Sequence, residues 1–335
     1  MHRGFCVLLT AMLICLCLIP ATVSAAGEYS DQAVPSVSSG ADYAVGQKTI
    51  GKYLLAALAP VGKVLYVWGG GWNDSTRIGI PKTMTKFYNS RTSSYDYKNY
   101  NDLSSTNRAK GFDSAGYVGW CTYQVMHSTS NEGSGYTVVS GEIGPAYKAR
   151  GWGQTIGQDY LSSHDYILKP GDIGYNDSHC FIVVGQCKDK SVVILHSTPQ
   201  AGVQISGTTT PDGDVNSEAQ KLAAIYMKEY AGTKKYTYQF SVGNYIKEYI
   251  FFRWNRSTLA DPDGYMNQTA DEILKSLFKG EMVGSPDPVE EDPPVPGTAA
   301  LPKTGDKGRP LLWLILILAG LVGVAACVKE AAFRK

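Results

Sequence analysis

Net charge is almost missing from this chain: 31 basic residues stand against 30 acidic ones in 335 positions. Such a balance leaves no net field to hold a phosphate backbone or an anionic membrane surface, so nucleic-acid binding is not expected. Cysteine is scarce where it would matter. Of the seven present, Cys6, Cys15 and Cys17 lie in an apolar N-terminal run and Cys327 in an apolar C-terminal run, leaving Cys121, Cys180 and Cys187 between them. An odd number at irregular spacing argues against a disulfide framework, and no paired Cys or His spacing points to zinc. No metal or other cofactor is therefore expected. Internal repeats are absent as well.

The two ends carry address information. His2 and Arg3, an apolar run from Phe5 to Ile19, Pro20 and the small-residue site Val23-Ser24-Ala25 read as an export signal over residues 1–25. At the other end stand Leu301, Pro302, Lys303, Thr304 and Gly305, then an apolar run from Leu311 to Val328 and a basic tail with Lys329, Arg334 and Lys335. About 18 residues rising 1.5 Å each span roughly 27 Å, enough to cross a bilayer core as a helix. Motif, span and tail in this order resemble a sortase signal of Gram-positive bacteria. That resemblance implies cleavage after Thr304, sortase as a partner, membrane contact only before cleavage, and a secreted protein joined covalently to the cell wall.

Between the ends, residues 26–46 are small and polar and read as a flexible lead. Residues 47–258 are rich in Tyr, Trp, Gly and Val and are long enough for one domain with a sizeable core. The segment 259–300 reads as a short amphipathic helix, with Ile273, Leu274, Leu277 and Phe278 at helical spacing, followed by a spacer of Pro286, Pro288, Pro293, Pro294 and Pro296 mixed with Glu290, Glu291 and Asp292.

Three segments carry chemistry. The first is Tyr66-Val67-Trp68-Gly69-Gly70, a strand running into a glycine turn. Asp113-Ser114-Ala115-Gly116 is the second: Asp113 reads as an N-cap, and Ala115, Val118, Thr122 and Val125 as the apolar stripe of the helix that follows. In the third, Pro170-Gly171-Asp172 leads into Ser178-His179-Cys180-Phe181-Ile182-Val183, and Lys188-Asp189-Lys190 then turns the chain into Val192-Val193-Ile194-Leu195-His196. A two-residue loop sets His196 opposite Val183 and a four-residue loop sets it opposite Phe181. Side chains alternate with period two, so both registers put the two imidazoles on one face.

In this order the segments resemble the NlpC family of papain-like cell-wall peptidases, whose nucleophile motif reads Asp-Cys-Ser-Gly. Here serine replaces the cysteine and alanine the serine after it. The resemblance implies an α+β papain-like fold, an antiparallel sheet packed against helices, and peptidoglycan stem peptides as the partner. By the same resemblance the catalytic positions are Ser114 as nucleophile or its remnant, His179 as base, His196 as its orienter and Tyr66 beside the nucleophile as an oxyanion donor. A helix N-terminus with a nearby imidazolium suits a thiolate; a hydroxyl is far less acidic and must lose its proton to a base as it attacks. Two functions follow: a weak hydrolase of stem-peptide amides, or a catalytically inactive pseudoenzyme that binds wall peptides or a partner.

The segment 72–110 is a long insertion for that family. It holds Tyr88, Tyr95, Tyr97 and Tyr100, which either line a substrate groove or belong to an ordinary surface loop. Cys121 reads as a packing thiol, Cys180 as facing away from His179, and His127 and His164 as surface or capping residues. Trypsin-like order is excluded because no histidine stands between residue 26 and Ser114. Phe112 occupies the place where an α/β-hydrolase needs glycine.

Overall fold

The structure is a computed structural model and describes residues 48–72, 78–91, 95–127, 136–199, 201–229 and 241–279. The segments read from sequence as an export signal and a flexible lead, the Pro- and acid-rich stretch, and Leu301 to Lys335 lie outside the described residues. Among the described residues no helix is long and apolar enough to cross a membrane.

The elements run α1 (Ile50–Leu58), β1 (Leu65–Tyr66), α2 (Lys82–Ser90), α3 (Ser105–Arg108), β2 (Gly111–Phe112), α4 (Ser114–Met126), α5 (Ile143–Ala149), β3 (Gly153–Ile156) and α6 (Gln158–Ser163). They continue with β4 (Ile173–Tyr175), β5 (Cys180–Gln186), β6 (Val192–Thr198), β7 (Gly202–Gly207), α7 (Glu218–Glu229), α8 (Tyr245–Glu248), β8 (Ile250–Trp254) and α9 (Ala270–Lys279). The fold is α+β. Six strands form one sheet in the order β3-β8-β4-β5-β6-β7, every neighbouring pair antiparallel, while β1 and β2 form a small parallel pair.

Strand alternation divides the core around the six-stranded sheet into two clusters. Cys180, Ile182, Val184, Val193, Leu195, Val203 and Ile205 share one with side chains of α1, α4, α5, α7 and α9. Phe181, Val183, Val192 and Ile194 point the other way, against Leu161, Ile246 and Phe251. Neither face is left to water, so the strands read as apolar runs rather than as an apolar-polar alternation.

α4 is buried on more than the stripe its sequence suggests. Ala115, Val118, Thr122 and Val125 are buried, and so is every other residue of the helix except Tyr123. Glycines make this possible: a Cβ at Gly116 would collide with the carbonyl of Gly70, and one at Gly119 with Thr137. The packed unit also runs past residue 258. Leu259, Tyr265, Ile273, Leu274 and Leu277 join the larger cluster, so α9 is docked on the domain. α9 reaches the sheet over Gly185, where a Cβ would stand 2.9 Å from the Cα of Ala270.

Candidate functional site

The hairpin of β5 and β6 brings the two histidines together. Its turn is neither of the two loop lengths the sequence suggests. Cys187 N donates to Ser191 O at 2.8 Å and Lys190 N to Cys187 O at 3.1 Å, which closes a loop of Lys188, Asp189 and Lys190. Lys190 takes the left-handed position such loops require, φ 66°. Continued unbroken, this turn would set His196 against Ile182, on the wrong face. A bulge between Val183 and Gly185 shifts the ladder by one residue, so Ile182 pairs with Leu195 and His196 comes level with Phe181. The four-residue register is thus reached by a three-residue turn plus a bulge.

His179 Nε2 lies 3.0 Å from His196 Nδ1. Beyond it, His196 Nε2 meets Ser206 Oγ at 2.8 Å and Gln204 Nε2 at 3.2 Å, both on β7. His196, Gln204 and Ser206 are fully buried, while His179 is half-buried among Phe181, Tyr245 and Tyr249. Burial disfavours a charged ring. It pushes His179 down to about 4, and burial together with the neighbouring imidazole of His179 holds His196 well below the ordinary histidine value. Near neutral pH both rings are uncharged.

Ser114 opens α4, as its sequence context implies. The Asp113 side chain caps the helix by accepting from Gly116 N at 2.5 Å. It also accepts from Gly69 N and Trp72 Nε1, each at 3.1 Å, which ties the glycine turn after Tyr66 to the start of α4. Ser114 itself is fully buried, and among the described residues its Oγ has no hydrogen-bond partner. No hydrogen bond joins it to either imidazole. The reason lies in the alternation: α4 packs on the face of β5 and β6 that carries Cys180, Ile182 and Leu195, whereas His179 and His196 lie on the face of Phe181. A hydrogen bond does join the strand after His196 to the approach to α4, where Ser197 Oγ donates to Phe112 O at 2.8 Å.

Tyr66 is buried in β1 with its ring edge-on to Tyr97, centroids 5.7 Å apart. The Tyr95 hydroxyl donates to the Tyr66 carbonyl. Tyr95 stacks on Tyr100, and both lean on Phe87, which with Tyr88, Leu65 and Val67 makes a third cluster. Arg91 closes it, over the Phe87 ring and donating to Tyr100 Oη at 2.6 Å. Phe87 and Tyr88 of the insertion are thus buried against the β1 segment, while Tyr95, Tyr97 and Tyr100 are half-buried.

The remaining residues fall in place as structural parts. Cys121 and Cys180 are buried on the α4 side, and burial pushes the Cys121 thiol well up. His127 and His164 each end a helix and bond back to its last turn. Asp172 of the Pro-Gly-Asp turn is buried and receives the Arg253 guanidinium at 2.6 Å and Lys169 N at 2.8 Å. Cys187, Asp189 and Glu218 bring ligand-type atoms within 4.8 Å of one another. The carboxylates there are already engaged: Asp189 accepts from Ser191 N and Glu218 N, and Glu218 from Lys188 N, so the group clasps the hairpin to the start of α7.

Gln204 and Ser206 were not marked by any motif. Their signal was present all the same, since two polar residues alternating with Val203 and Ile205 in a strand buried on both faces must meet polar partners. Compared with family models, with curated proteins and with solved structures, the chain matches none of them.

Proposed function

We propose that this chain is an exported, wall-anchored module with a papain-like NlpC arrangement, which binds peptidoglycan stem peptides and does not hydrolyse them efficiently. One observation carries the non-hydrolytic part: Ser114 Oγ is fully buried and no base is hydrogen-bonded to it. A serine nucleophile needs a base within about 2.6–3.2 Å to take its proton. The imidazole pair sits on the other face of β5 and β6, with both rings neutral. The NlpC-like arrangement is supported by the order of parts, a capped helix beginning at Ser114 followed by antiparallel strands that pair His179 with His196. Wall attachment is supported by the sequence Leu301 to Gly305 ahead of an apolar run and a basic tail.

A second reading, hydrolysis through Ser114, is favoured by the intact contact between His179 and His196. Mass spectrometry of muropeptides incubated with the full chain, run beside a direct measurement of stem-peptide binding, separates the two. Binding without new cleavage products is expected. Turnover that Ser114→Ala abolishes would establish the hydrolase instead.

A further inference from the structure

We propose that the insertion, residues 72–110, carries a docking surface for an acidic peptide, built on Arg91 and Lys110 beside the ring of Tyr100. The inference rests on the reading of this chain as a peptide-binding module, and it deepens that reading by naming the charge the peptide must carry. The insertion holds seven basic and three acidic residues, an excess of four positive charges within a chain whose whole balance is +1. The near-neutral total conceals a segregated charge. Arg91 and Lys110 share one pair of rings: the Arg91 guanidinium stands 4.8 Å from the centroid of Phe87 and 6.0 Å from that of Tyr100, and Lys110 Nζ stands 5.6 and 5.5 Å from the same two. Arg91, Tyr100 and Lys110 are half-buried, and Lys98, two residues before Tyr100, is exposed.

Among the described residues no carboxylate lies within ion-pair distance of Arg91, Lys98 or Lys110. The two acids nearest in sequence are engaged in local turns: Asp96 accepts from Lys98 N at 3.0 Å, and Asp102 from Ser104 N at 3.0 Å and Asn107 Nδ2 at 2.8 Å. Arg91 gives Nε and Nη2 to Ser90 Oγ at 3.2 and 3.1 Å and Nη1 to Tyr100 Oη at 2.6 Å, which leaves one N–H on each terminal nitrogen. Lys110 Nζ donates to Asn107 Oδ1 at 2.7 Å and keeps two further N–H groups. These neutral contacts and the rings hold both cations in place without neutralising them, so little side-chain freedom remains to be lost when an anion arrives. A carboxylate suits the planar guanidinium, and the half-buried rings of Tyr97 and Tyr100 offer apolar surface to the chain that carries it. The same segment reaches the candidate site, since Tyr97 is edge-on to Tyr66 and Arg108 Nε donates to Gly69 O at 3.2 Å.

The test is a binding titration of the full chain at about neutral pH and low salt with a fluorescent oligoglutamate, with oligoglutamine and inorganic polyphosphate beside it. Oligoglutamate is expected to bind and oligoglutamine not. Arg91→Gln combined with Lys110→Gln is expected to weaken oligoglutamate binding by about tenfold or more, as the loss of two charge-assisted contacts requires. Lys148→Gln combined with Lys221→Gln removes two exposed cations elsewhere and is expected to change the affinity by less than about twofold. No binding by the wild type, equal binding of oligoglutamine, tighter binding of polyphosphate, or a double variant no weaker than that control overturns the proposal. Where the double variant does not fold, Lys110→Gln alone, whose ammonium hydrogen-bonds only Asn107, is expected to lose about threefold or more, and an unchanged affinity there overturns the proposal equally. Failure of muropeptides to bind, with oligoglutamate still held through Arg91 and Lys110, would sink the wall-peptide reading and leave this surface standing. Muropeptide binding unaltered in the double variant would overturn this surface as the peptide site and leave that reading standing, so the two failures are separable.

Discussion

Arg253→Met should be among the most damaging single changes outside the core. Asp172 is 1% exposed and Arg253 18%. The guanidinium holds the carboxylate through Nε at 3.0 Å and Nη2 at 2.6 Å, and Lys169 N donates to it at 2.8 Å. Burial pushes the Asp172 carboxyl up, and the Arg253 guanidinium opposes that shift. Removing the arginine leaves a buried carboxylate nearly uncompensated, at a cost of about 3–5 kcal/mol. Against a total stability on the order of 5–15 kcal/mol this is a large fraction, equivalent to a fall of roughly 6–20 °C in Tm for a domain of this size. Asp172→Ala should cost less, because the part-exposed guanidinium keeps water and the Ile167 carbonyl. The sign of the pH dependence follows from the same picture. With the guanidinium gone, the native carboxyl has a pKa above its unfolded value, so the penalty is relieved as pH falls and the acid is protonated. Urea melts of wild type, Arg253→Met, Asp172→Ala and the double variant, at about pH 7 and about pH 5, give the coupling directly. A loss under 1 kcal/mol for Arg253→Met, or a loss relative to wild type that does not shrink at the lower pH, would refute the reasoning.

Three further outcomes are expected. Ser114→Cys should not create a peptidase: with no imidazole bonded at that position, burial keeps the new thiol protonated, so alkylation by iodoacetamide should be slow at about pH 7, and rapid labelling with muropeptide cleavage would contradict the geometry. Because the native rings of His179 and His196 bind protons less readily than the unfolded chain, stability should be fully present above about pH 7 and fall as pH drops through about 6.5 toward about 4, by about 3 kcal/mol from His179 alone and by more with His196; a flat stability profile across that window, or one unaltered by His179→Gln, would argue against neutral rings. Thr304→Ala should move the protein from the covalently bound wall fraction to the membrane fraction, and unchanged recovery from purified walls would refute sortase attachment.

Local chemistry was enough to place several parts from sequence alone. Asp113 could be recognised as a cap because a short carboxylate before an apolar run satisfies helix amides whatever surrounds it. The β5–β6 hairpin, the docking of Ile273, Leu274 and Leu277, and the opposite facing of Cys180 and His179 follow from periodicity, which the backbone imposes by itself. The readings of the two ends rest on runs of composition alone, and they fall on residues outside the described ones. Long-range geometry was not legible. The bulge at Val183–Gly185 lies where Ala270 of α9 crosses Gly185, a contact between segments far apart in sequence. That Phe87, Tyr95 and Tyr100 of the insertion pack beside Leu65 and Val67 was likewise not legible in the sequence. Ser114 and the two histidines follow one another in the order the resemblance expects, but order carries no information about which face of a sheet a helix will cover. That α4 packs against Cys180 and Leu195 while the imidazoles turn toward Phe181 and β7 is a choice made by the whole core, because only there do the apolar faces on both sides of the sheet become buried at once.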